Sequence, residues 1–122
     1  MHDWLAMAIA LSTKLQVREG QSIRVINAPD RFDLGPPATD DDDADAIVLF
    51  VRNRAELEAL GDPAVEAARR DRLTWIAYPK AGQLDTDLSR DTLRDLALER
   101  GIQPVRQVSI DGVWSALRFR PA

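Results

Sequence analysis

Ala46-Ile47-Val48-Leu49-Phe50-Val51 runs for six residues without a polar side chain. A short, continuous apolar run marks a strand buried on both faces, the kind found in sheets covered by helices. Downstream, Asn53 is a helix N-cap, with Glu56 three residues on and Leu57 and Leu60 as the buried face. Gly61-Asp62-Pro63 closes that helix and opens a second, with Asp62 as cap and Pro63 at the first helical position. Leu73-Thr74-Trp75-Ile76-Ala77-Tyr78 is a second buried strand, stopped by Pro79. Ser89 caps a third helix that presents Leu93, Leu96, Ala97 and Arg100 on one face and stops at Gly101. Two strands follow, Val105 to Ile110 and Trp114 to Arg120, joined by Asp111-Gly112-Val113, and Asp-Gly is a strong hairpin signal. In the last strand Leu117 and Phe119 alternate with Ala116, Arg118 and Arg120, a pattern that places it near a sheet edge.

Upstream of the apolar run, Ser22-Ile23-Arg24-Val25-Ile26 has strand character, and Asn27-Ala28-Pro29-Asp30 breaks it with turn residues. Trp4 to Leu15 lacks Gly and Pro and is apolar on most sides, which predicts a helix packed on two surfaces. The expected fold class is α/β: a three-layer αβα sandwich with a mostly parallel five-stranded sheet and a C-terminal antiparallel hairpin strand. One domain is expected over residues 1–122, with 1–20 as N-terminal helix and lead-in and 28–45 as an acidic, Pro-containing loop.

The composition narrows the function classes. The 122 residues carry 16 Lys plus Arg against 20 Asp plus Glu, one His and no Cys, for a net charge of −4. That balance lacks the basic footprint of a nucleic-acid binder. Without Cys there is neither a disulfide framework nor a thiol nucleophile. The longest apolar stretch, Trp4 to Leu11, has eight residues where a spanning helix needs about 20, and Met1-His2-Asp3 is not a basic leader. A soluble, cytoplasmic protein with no membrane contact is the expectation. No metal site is expected: His2 stands alone, and the Asp40–Asp45 run lacks the spacing of a calcium loop.

In open parallel sheets ligands bind beyond the carboxyl ends of the strands. Those ends nominate Asn27, Arg52, Tyr78 and Lys80, with Asp111 and Trp114 from the hairpin turn. Ser89 and Arg90, at the start of the third helix, lie downstream of Lys80 and within reach of the same rim. Arg52, Lys80, Arg90 and the Ser89-capped helix start would suit an anion, because a helix N-terminus presents free N–H groups. Each also has a plain structural role: Arg52 as a solvated strand-end charge, Asp111 as a turn former, Trp114 as hairpin packing. No nucleophile elbow, Walker loop or Ser-His-Asp set is present, and no catalytic residue is nominated.

The stretch Lys14 to Ile26 resembles the lead-in to the first strand of a Rossmann-like, S-adenosylmethionine-dependent methyltransferase. The later succession of strand, helix, strand, helix, strand and antiparallel strand is similar to the second half of that fold. Val25 to Pro29, Leu49 to Arg52, Tyr78 to Lys80, Asp87 to Asp91 and Trp114 to Phe119 also resemble an uncharacterised bacterial family of unknown function. The resemblance implies a truncated Rossmann-like fold. It departs from the methyltransferases where their Gly-rich turn would stand: Asn27-Ala28-Pro29 adds a Cβ and removes an N–H. The 18 residues from Ala28 to Asp45 are too few for two further strands with their crossovers. No cofactor is therefore expected.

The functional expectation is a non-catalytic binding or interaction module on a degenerate methyltransferase-like fold, with a protein or small-molecule partner. The alternative is a small enzyme or metabolite binder that holds an anionic ligand through Arg52 and Lys80. A homodimer through a sheet edge or the apolar N-terminal helix is a further expectation.

Overall fold

The computed structural model describes residues 11–30, 32, 34 and 38–122. The expected helix from Trp4 to Leu15 falls mostly outside them, but residues 11–14 are helical and the Leu15 amide donates to the Leu11 carbonyl at 2.9 Å. Five strands follow in the chain: β1 (Ile23–Ile26), β2 (Ala46–Phe50), β3 (Leu73–Pro79), β4 (Ile102–Ser109) and β5 (Trp114–Pro121). The helices between them are α1 (Arg54–Leu60), α2 (Asp62–Arg69) and α3 (Arg90–Leu98).

The strands form one sheet in the order β1-β2-β3-β5-β4. β1 to β3 pair in parallel, and β5 pairs antiparallel with both β3 and β4. This α/β sheet is mixed, and it corrects one expectation: with two of its four strand pairings antiparallel it is not mostly parallel in its pairing, while β5 lies near an edge as expected, one strand in from β4. The reason is burial. β5 brings Ala116, Leu117 and Phe119, all at 2% exposure or less, whereas β4 carries Pro104, Arg106 and Gln107. Seating β5 between β3 and β4 hides the more apolar strand, and burial of apolar surface decides. Arg118 and Arg120, on the other side of β5, both find partners. Arg118 Nη1 donates to Gln16 Oε1 at 2.6 Å, and Arg120 makes two bonds to Asp71, at 2.9 and 3.0 Å.

β4 begins at Ile102, ahead of the expected Val105, and runs through Pro104. An edge strand tolerates proline because its outward N–H is not needed for a ladder. A bulge between Pro104 and Arg106 marks the irregularity. Asp62 is also placed differently from expectation: it is the first residue of α2, whose N-cap Gly61 makes no side-chain capping bond. The Asp62 carboxylate accepts from Arg100 at 3.3 Å instead. Asn53 and Ser89 cap α1 and α3 as read from the sequence, accepting from the Glu56 and Thr92 amides.

Each face of the sheet has its own core. On one, Ile47, Leu49, Ile76, Leu117 and Phe119 pack against Leu57 of α1, Ala64, Val65 and Ala68 of α2, and Leu93 and Ala97 of α3. On the other, Val48, Phe50, Trp75, Ala77, Trp114 and Ala116 pack against Leu15 and Leu34. The Trp75 indole N–H donates to the Leu15 carbonyl at 2.8 Å, which ties the N-terminal segment to this second face. β4 runs in the same direction as β1 to β3, so the hairpin turn falls at the carboxyl end of the parallel strands. There Trp114 pairs with Pro79.

Candidate functional site

β1 ends where Asn27 turns into the left-handed region, at φ 60°, a conformation Asn tolerates better than most residues. The Asn27 Nδ2 group donates to the Phe50 carbonyl at 2.9 Å and to Glu56 Oε1 at 3.2 Å, which binds the end of β1 to that of β2. One residue past β2, Val51 still donates its amide to Ala77, so the chain leaves the sheet at Arg52. The Asn53 cap starts α1 and places Glu56 in its first turn, opposite Arg52. Glu56 Oε1 accepts the Arg52 amide at 2.7 Å, and Oε2 accepts Nε and Nη2 at 3.0 and 2.7 Å. The Arg52 hydrogen bond holds the Glu56 carboxyl below its usual range, and the same bond raises the Arg52 guanidinium. The Arg52 charge is thereby neutralised.

The other wall comes from the hairpin. Asp111 Oδ1 accepts the amides of Val113 and Trp114, both at 2.8 Å, and so acts as the turn former. This fixes Trp114, whose buried ring meets Phe50 edge-on at 5.1 Å and 85°. Between the two walls opens a cleft of about 560 Å³ lined by Asn27, Ala28, Pro29, Asp30, Arg52, Leu84, Val113 and Trp114. Its apolar lining is Ala28, Pro29, Leu84, Val113 and Trp114. Leu84 is 52% exposed and sits at φ 53°, followed by Asp85 at 51°. Consecutive non-glycine residues in this region carry strain, which collects at ligand clamps and other functional loops.

Of the eight nominated residues, the structure brings Asn27, Arg52 and Trp114 together in the cleft. Asp111 supports it from behind. Lys80 does not line it: its ammonium donates to Ser109 Oγ at 2.6 Å, and Lys14 donates to the Ser109 carbonyl at 3.0 Å. Tyr78 belongs to the helix-covered core, where its hydroxyl accepts from Gln107 at 3.2 Å and burial pushes the phenol up. Ser89 is engaged as the α3 cap, and Arg90 pairs with Asp91 at 3.3 Å.

Sequence reasoning passed over Asp30, Leu84 and the neutralising role of Glu56. Asp30 and Glu56 were visible, as the end of the turn and as a cap partner. Leu84 gave no signal, because a positive φ at leucine is not written in its residue type. Among the described residues no group of three or more His, Cys, Asp or Glu could hold a metal ion, and no helix is long and apolar enough to cross a membrane. No protein-family model, no curated protein and no solved structure matches the chain.

Proposed function

We propose that the protein is a non-catalytic binding module that seats a ligand in the cleft beyond the carboxyl ends of β1 and β2. The observation that carries this reading is the cleft itself. It opens where ligands bind in open α/β sheets, with an apolar lining and a few convergent polar groups, the usual composition of a ligand site. The scaffold reading is a truncated Rossmann-like, methyltransferase-like domain of a cytoplasmic protein. The succession β2, α1, α2, β3, α3, β4 and antiparallel β5 supports the scaffold part of it. Ala28 and Pro29 support the loss of cofactor binding, since their side chains line the cleft where a Gly-rich turn would let a cofactor approach the backbone.

The anion-holding alternative through Arg52 and Lys80 draws less support, because the two cations are engaged in separate networks. Homodimerisation through the β4 edge is likewise disfavoured by Pro104 and the bulge, both devices that blunt edge pairing. A fragment screen followed by amide chemical shifts tests the reading. Ligands should perturb Ala28, Asp30, Val113 and the Trp114 indole. A broad screen that leaves those resonances unmoved refutes it.

A further inference from the structure

Resting on the binding reading above, we infer that the cleft takes an amphipathic monocation: an ammonium group on an apolar, preferably aromatic, body. The argument is a balance of charges and hydrogen-bonding groups among the described residues. Arg52 is paired with Glu56 through two guanidinium bonds and one amide bond. Both N–H directions of Asn27 Nδ2 are taken by acceptors, the Phe50 carbonyl and Glu56. With both N–H groups donated, the Asn27 side chain keeps only its Oδ1 as a further hydrogen-bonding group, an acceptor. Asp111 is engaged by two amides.

Asp30 remains. It lines the cleft and is exposed, and among the described residues no ion pair or hydrogen bond engages its carboxylate. The side-chain groups left for a ligand are thus a carboxylate and an amide oxygen, together with the outer N–H groups of Arg52, which can still serve a neutral acceptor such as a carbonyl. An anionic ligand would meet Asp30 with no uncompensated cation opposite it among the described residues. A cationic ligand completes the charge balance, and the apolar lining of Pro29, Leu84, Val113 and Trp114 receives its body.

Leu84 adds an independent observation. It stands 52% exposed at φ 53° and presents an apolar surface at the rim of the cleft. Contact with an apolar ligand body would cover it.

The test uses three probes that share a phenylethyl body, with the full chain: 2-phenylethylammonium, 2-phenylethanol and 3-phenylpropionate, each titrated by amide chemical shift. The expected order of affinity is ammonium, then alcohol, then carboxylate, with shifts at Asp30, Val113 and Trp114. Asp30→Asn, at an exposed position, should keep the wild-type melting temperature. It should weaken the ammonium probe by about tenfold, the size of a lost charge-assisted bond, and leave the alcohol unchanged. Leu84→Ala should weaken the ammonium and alcohol probes alike. If the carboxylate binds the cleft as well as the ammonium, or Asp30→Asn leaves the order intact, the inference falls while the binding reading stands. If none of the three perturbs the cleft, the inference falls as well, and the broad screen alone decides the binding reading.

Discussion

Two grooves of similar size lie on this molecule, and they differ in how many of their lining residues carry charge. The carboxyl-end cleft, at about 560 Å³, is lined by five apolar residues with Asn27, Asp30 and Arg52, and the Asp30 carboxylate is unengaged among the described residues. The other, about 500 Å³, lies beside α2 and is lined by Arg24, Asp42, Asp43, Asp62, Glu66, Arg70 and Arg72 with Pro63 and Ala67. There most of the charges answer one another: Arg24 pairs with Asp42 at 3.1 Å and Arg72 with Asp43 at 3.2 Å, and of the lining cations Arg70 has no ion pair among the described residues. A groove whose charged walls are mostly paired and solvated offers a ligand little that water does not. A groove with an apolar floor and an unmatched charge offers desolvation and an unmade bond. Volume alone does not separate the two; the state of their polar groups does.

The largest expected effect comes from removing the floor of the first cleft. Trp114→Ala deletes a buried ring that packs on Phe50 and joins β5 to the second core. Urea unfolding should show a loss of about 3–4 kcal/mol, the range for large aromatic truncations in cores. The matching truncation in the second groove, Arg70→Ala, removes an exposed side chain and should stay within about 0.5 kcal/mol. Equal losses at the two positions would erase the distinction between a packed floor and a solvated wall.

Much of this contrast was written in the chain. The run Ala46 to Val51 announced a buried strand, Asn53 and Ser89 announced helix starts, and Asp111-Gly112 announced the hairpin. Together they placed Asn27, Arg52 and Trp114 at one end of the sheet. What stayed hidden depends on long-range choices. The insertion of β5 between β3 and β4 follows from comparing the burial of two strands, which neither strand expresses alone. Tyr78 and Lys80 were grouped with the rim because they adjoin a strand end. Strand alternation puts Tyr78 on the same face as Ile76, but β3 is apolar on both faces, so its sequence could not say which face borders the cleft. The Arg52–Glu56 pairing reaches from the residue ahead of the Asn53 cap to the first turn of α1, outside the spacing rules for one helix face, and changes the chemistry of the rim more than any other missed contact.

That pairing supplies the next test, smaller in size. Glu56 has a folded pKa below its unfolded value because Arg52 binds the ionised form. Its contribution to stability is therefore present above the unfolded pKa, about 4.3, and is lost as pH falls through the lower folded value. Glu56→Gln should cost about 1 kcal/mol near neutral pH. The gap between variant and wild type should stay level down to about pH 5 and narrow below it. A gap that does not change with acidification would mean that Glu56 acts through packing alone, and Arg52 would then stand as an uncompensated cation on the rim. That result would return the cleft to anionic ligands.

The smallest effect is expected in the second groove. Asp42→Asn with Asp43→Asn removes both carboxylates that face Arg24 and Arg72, yet the Asp42 and Asp43 side chains are 90% and 73% exposed. Exposed pairs of this kind contribute about 0–1 kcal/mol and are screened by salt. The segment has other anchors: the Thr39 amide donates to Ile23 at 2.7 Å, Ala46 to Ser22 at 3.0 Å, and Asp45 Oδ2 accepts the Ser22 amide at 2.9 Å. The double variant should therefore unfold within about 0.5 kcal/mol of wild type and converge on it at high salt. A loss of about 2 kcal/mol or more would exceed what such pairs supply. The paired charges would then be structural clamps that hold the loop against β1 and β2, and the second groove would be as strongly organised as the first.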